Sequence, residues 1–143
     1  MKYHFLVHKE KKGIWAECVE LDGCATQASS ESELKKNMEE ALNLFLDEPE
    51  DSKTVFPIPK KNLKGRNIVE VLVAPRVALA FLLRKYRLER NLTQTQAAKL
   101  LGMKGLYSYQ RLESSKTANP EFDTLARIKK AFPELKLDEL LAA

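Results

Sequence analysis

The stretch Thr93-Gln94-Thr95-Gln96-Ala97-Ala98-Lys99-Leu100-Leu101-Gly102 decides how the chain is read. Thr93 and Gln96 stand three positions apart at the head of an apolar run, the spacing of a capping box. In such a box the Thr hydroxyl and the Gln amide each satisfy a backbone N–H that the helix leaves unpaired. A short helix is therefore predicted up to Leu101, with Ala97, Ala98 and Leu101 inward. Gly102 turns the chain, because glycine enters the left-handed region at little cost. A further helix is predicted directly afterwards, over about 104 to 112. Two short helices that cross steeply need a small residue at the contact and a three-to-four-residue turn. Ala98 and Gly102 meet those needs, and Met103, Tyr109 and Leu112 can anchor the second helix.

Upstream of this stretch, Pro75 sits where a first-turn proline is tolerated. Val77, Leu79, Ala80, Leu82, Leu83 and Tyr86 form the apolar face of a helix predicted to reach about Arg90. Asn91-Leu92 ends it. Everything beyond residue 74 reads as helical. Charge follows the same division. Over 1–74 there are 11 Lys plus Arg against 13 Asp plus Glu, a net −2; over 75–143 there are 13 against 7, a net +6. A basic C-terminal half suits a polyanionic partner, and the N-terminal half a different task.

Residues 93–102, then Gln110-Arg111-Leu112-Glu113, Asn119-Pro120, 123–128 and 137–141, resemble the lambda-repressor-like helix-turn-helix family through five helices. One departure is that the segment from Gly102 to Glu113 is a residue longer than the family pattern. Base-reading positions are therefore open by one residue. The resemblance implies DNA binding. Thr93 and Gln94 would lie at the phosphate backbone, with Gln94 at the start of the second helix. Lys104, Tyr107, Ser108, Gln110 and Arg111 are the polar candidates on the recognition helix. Gln can pair bidentately with adenine, and Arg with guanine. Lys116 and Asn119, in the following loop, would touch the backbone. Such modules generally bind as dimers on half-sites about one helical turn apart. A homodimer or higher oligomer is expected, its surface on the C-terminal helices around 132–141.

The N-terminal half reads differently. Tyr3 to His8 alternates, with Tyr3, Phe5 and Val7 on one face, and Ile14 to Val19 forms a hairpin partner. Asp22-Gly23 is a tight turn into a third short strand, Cys24 to Ala28. Ser30 and Glu33 form a second capping box. The helix behind it carries Leu34, Met38, Ala41, Leu42 and Phe45 inward and Lys35, Lys36, Glu39 and Glu40 outward. Pro49 ends it, prolines 57 and 59 hold the chain extended, and Ile68 to Val73 forms a fourth strand. The fold class is α+β: a small β-β-β-α-β domain, 1–74, followed by an all-α domain of about five helices, 75–143.

That element order, with Val19-Glu20-Leu21-Asp22-Gly23-Cys24 and the helix after Ala25-Thr26-Gln27-Ala28-Ser29-Ser30, resembles the HicB antitoxin family. Members often have Pro where Asp22 stands. The resemblance implies a reduced RNase H-like N-terminal domain that neutralises a small mRNA-cleaving toxin of the HicA type. The C-terminal domain would then repress the operon by binding operator DNA. A toxin that grips RNA is basic, so an acidic counter-surface is expected, and Glu39, Glu40, Asp47, Glu48, Glu50 and Asp51 supply it. The alternative is a stand-alone repressor whose N-terminal domain senses a small molecule.

Enzymatic readings find little footing. Two-metal cleavage needs converging carboxylates. The first strand has none, Glu17 and Glu20 lie on or just past the second, and Asp22 is in a turn. His4 and His8 share a strand face with no carboxylate assigned to them and are read as structural. The two cysteines, Cys18 and Cys24, lack zinc spacing and are read as buried apolar fillers. No cofactor or metal is expected. Without an apolar run of spanning length, and with a charged, alternating start, the expected location is cytoplasmic, away from any membrane.

Overall fold

A computed structural model of the chain describes residues 1–141. They form two compact units. Of the described residues, the first comprises Met1–Leu46 with Phe56–Val73, and the second comprises Asp47–Val55 with 74–141.

In the first unit, β1 (Lys2–Glu10), β2 (Gly13–Cys18), β3 (Ala25–Ala28) and β4 (Ile68–Leu72) make one sheet in the order β3-β2-β1-β4. Every neighbouring pair is antiparallel, with Phe5 opposite Cys18 on one side and Val69 on the other. Period-two alternation places Tyr3, Phe5, Ala16, Cys18 and Val71 on one face, all buried. They share a core with Leu34, Met38, Leu42 and Leu46 of α1 (Glu31–Leu46), which packs on the sheet. The Asp22-Gly23 turn forms as expected, with Gly23 at φ 87°. Cys24 falls in that turn, so the third strand starts one residue later than predicted. The cap of α1 also differs. Ser30 Oγ accepts from the Glu33 N–H at 3.3 Å, but the Glu33 carboxylate reaches past Ser30 to the Ser29 N–H and hydroxyl.

The second unit contains α2 (Pro75–Glu89), α3 (Gln94–Leu100), α4 (Leu106–Leu112), α5 (Phe122–Ala131) and α6 (Leu137–Leu141). Five helices were expected over 75–143; the last two residues of that span lie outside the described ones. Pro75 opens α2 in its first turn. Asn91, at φ 55°, closes α2, and the Leu92 N–H returns to the Arg87 carbonyl. Residues 47–55 pack with this unit, so the single boundary predicted at 74 does not describe the packing. The physical reason is Arg84, buried on α2, whose Nη2 donates to the carbonyls of Glu48 and Pro49 at 3.5 and 3.2 Å. Phe132, Leu135 and Leu140 are core residues here, which removes them from the predicted dimer surface; Leu141 and Phe122 are the exposed apolar side chains of α6 and α5.

Candidate nucleic-acid interface

The interface is built on α3 and α4. Both reciprocal bonds of the Thr93 box are present: the Gln96 N–H donates to Thr93 Oγ1 at 3.1 Å, and the Thr93 N–H donates to Gln96 Oε1 at 2.8 Å. Ala97 and Ala98 are buried between the helices, and Gly102 takes φ 65°. Five residues, Leu101 to Gly105, separate α3 from α4, which is longer than the three-to-four-residue turn expected. The additional residue therefore lies in the turn. Lys104, assigned to the recognition helix from sequence, is corrected to that turn: Gly105 is the N-cap and α4 begins at Leu106.

On α4, Tyr109 and Leu112 face inward while Tyr107, Ser108 and Arg111 are exposed, with Tyr107 69% exposed. Arg111 lies over the Tyr107 ring at 5.8 Å, a cation–π contact that holds both side chains together on the solvent face. Gln110 is half-buried and donates to Gln94 Oε1 at 3.2 Å. Gln94 in turn donates from Nε2 to the Glu50 carbonyl at 3.1 Å. Thr93, Gln94 and Gln110 thus stand together, with Tyr107, Ser108 and Arg111 on the neighbouring helix face. Lys116 and Asn119 are exposed in the loop between α4 and α5.

Sequence reasoning passed over the anchor of this interface. Glu113, fully buried at the C-terminal end of α4, accepts from Arg87 Nε at 2.6 Å and Nη2 at 3.0 Å. Arg87 Nη1 also donates to the Leu92 carbonyl at 2.9 Å, so one guanidinium ties α2, the turn before α3 and the end of α4. Burial opposes the guanidinium's charge, but Glu113 outweighs it and raises the Arg87 pKa further. The neighbouring Tyr109 hydroxyl is pushed up by burial and then by the Glu113 charge, which keeps it neutral. A seven-residue helix has no stability of its own in water, so this pair sets its angle. The sequence signal was a pair of charged residues, Arg84 and Arg87, one turn apart on the helix face that also carries Ala80 and Leu83.

The six carboxylates predicted to face a toxin do not form one surface of the first unit. Glu39 and Glu40 are exposed on α1, whereas Asp47, Glu48, Glu50 and Asp51 belong to the second unit. The Asp47 carboxylate accepts from the Ser115 hydroxyl, and Glu48 from Ser52 at 2.8 Å.

The histidines also have partners that spacing did not reveal. His4 Nδ1 lies 2.8 Å from Glu20 Oε2, both side chains buried, and the same carboxylate accepts the backbone N–H groups of His4 and Lys60, each at 2.9 Å. Burial raises the Glu20 pKa, but these hydrogen bonds prevail and hold it below the ordinary value. His8 stacks on Trp15 at 4.0 Å, with Nε2 3.7 Å from Glu17. Cys18 and Cys24 are free and buried. Among the described residues, no group of three or more His, Cys, Asp or Glu is placed to hold a metal ion, and no helix is long and apolar enough to cross a membrane.

Comparison with known families agrees with this geometry. Residues 83–140 match the helix-turn-helix family model, a span that runs from the second half of α2 into α6 and contains α3, the turn and α4. The C-terminal part of the chain is a helix-turn-helix domain, and the match supports DNA-binding transcription regulation. Comparison with curated proteins finds no match to the chain.

Proposed function

We propose that the chain is an antitoxin of the HicB type that represses its own operon. Its helix-turn-helix domain binds operator DNA, and its first unit binds a small basic ribonuclease toxin of the HicA type. The observation that carries the DNA half is α4: Tyr109, Leu112 and Glu113 are locked inward while Tyr107, Ser108 and Arg111 are exposed on one face. A short helix held rigidly with a polar, cationic face outward has the form that enters a major groove. The antitoxin half rests on the likeness of the β-β-β-α-β order and the Val19 to Cys24 motif to HicB proteins. In this reading the first unit is a reduced RNase H-like domain that has no catalytic role. The protein works as a homodimer or higher oligomer in the cytoplasm.

The test has two arms. The full-length chain should retard a fragment of its own promoter and should co-purify with the product of the adjacent short open reading frame, relieving that product's toxicity. A neighbour that is neither small nor basic, and harmless to growth, sinks the antitoxin half. Failure to retard any promoter fragment in dilute salt sinks the repressor half.

A further inference from the structure

Residues Asp47–Val55 lie against the residues expected to meet DNA. Resting on the DNA-binding reading above, we propose that this segment is an acidic strap that competes with DNA for the helix-turn-helix face and must leave for tight binding.

The first argument is position. The Glu50 carbonyl takes the Nε2 hydrogen of Gln94, the side chain assigned to a phosphate. Glu50 and Asp51 share a cleft with Thr93, Gln94, Thr95 and Leu106, the first residue of α4. Asp47 and Glu48 line a second cleft with Ser114 and Lys116, another of the backbone-contact candidates. Asp47 is also bonded to Ser115. The strap therefore adjoins both ends of the expected phosphate track while leaving Tyr107 and Arg111 exposed.

The second argument is charge. The strap carries Asp47, Glu48, Glu50 and Asp51 against the single Lys53. A phosphate drawn to Gln94 or Lys116 meets these carboxylates at close range, and like charges in partly desolvated clefts repel.

The third argument is ease of release. Pro49 is exposed and Val55 is 42% exposed, so neither is a core residue and hydrophobic burial holds the strap only weakly. Its attachments are hydrogen bonds. A single nitrogen, Arg84 Nη2, is divided among the carbonyls of Glu48, Pro49 and Glu113 at 3.5, 3.2 and 3.4 Å. Water replaces such bonds with small net loss. Displacement would also uncover the buried Arg84 guanidinium, a cation close to Ser114–Lys116 through its bond to the Glu113 carbonyl. A strap held by exchangeable polar contacts is a low-stability segment of the kind that opens locally without unfolding the domain.

The experiment uses the full chain and a labelled random-sequence duplex at low salt, read by fluorescence anisotropy. The double variant Glu50→Gln/Asp51→Asn is compared with Glu39→Gln/Glu40→Gln, which removes the same charge from α1. The strap variant is expected to bind about fivefold more tightly than wild type, with the gain fading as salt rises, and the α1 variant to stay within about twofold. In parallel, hydrogen exchange at the Ser52 N–H, bonded to the Pro49 carbonyl at 3.0 Å, should accelerate when DNA is added. Equal affinity of the two doubles, or slower exchange at Ser52 with DNA, overturns the strap. If wild type and both variants bind no duplex at any salt, the DNA-binding reading falls and takes the strap with it.

Discussion

Replacing Glu113 by alanine is expected to cost the helix-turn-helix domain about 3–5 kcal/mol, a large part of the stability of a small domain. The figure follows from burial. The Glu113 side chain is fully enclosed and that of Arg87 is 8% exposed, and the pair is joined by two bonds of 2.6 and 3.0 Å. Without the carboxylate, the guanidinium stays inside the protein with the Leu92 carbonyl as its remaining close partner. An uncompensated buried charge is what makes breaking such pairs expensive. Replacing both residues by apolar ones, Arg87→Met/Glu113→Leu, removes the charge instead of stranding it and should cost far less than the single change. Glu40→Ala is the control. Its partner Lys36 is 3.9 Å away with both side chains largely exposed, and the loss should stay within about 1 kcal/mol. Urea unfolding followed by circular dichroism at 222 nm measures all three. The reasoning is refuted if Glu113→Ala costs no more than Glu40→Ala, or if the double variant is as damaged as the single. The same single variant should weaken promoter binding, because α4 loses the contact that fixes its end.

Three further outcomes follow from other parts of the molecule. Gly102→Ala should destabilise by about 1–2 kcal/mol although an added Cβ meets nothing closer than Arg127 Nη1 at 4.0 Å, because φ is 65°; Gly105→Ala, with open space around it, should be almost silent in the same melts. Arg111→Ala should weaken promoter binding by about 1–3 kcal/mol with relaxed base preference, whereas Lys116→Ala should weaken promoter and random duplex alike and reduce the salt slope by about 0.9. Equal losses on both DNAs for the two variants would show that Arg111 is misassigned. For Glu20, a folded pKa below the ordinary 4.5 means stability that is complete above that value and is lost as pH falls through the lower folded one. Glu20→Gln should therefore be less stable at neutral pH and show a shallower acid limb, followed by fluorescence of Trp15, the sole tryptophan.

Local rules made much of this protein legible. The Thr93–Gln96 box, the glycine at 102 and the Ala97-Ala98 pair predicted α3 and its turn because capping and left-handed geometry involve residues close together in the chain. Alternation over β1 and β2 and the Asp22-Gly23 turn did the same for the sheet. Lys104 was misplaced because an added turn residue shifts a helix start without disturbing the periodicity behind it.

What the chain's order alone determined, then, is which segments form helices and strands, which faces are apolar, and that the C-terminal half carries a helix-turn-helix. Only the tertiary structure decided which distant polar groups meet: Arg87 with Glu113, His4 with Glu20, and Asp47–Val55 with Arg84 and Gln94. The physical reason is that a buried charge or amide is satisfied by whichever partner packing brings within about 3 Å. Spacing in sequence encodes the near neighbours of a residue, and packing chooses the far ones.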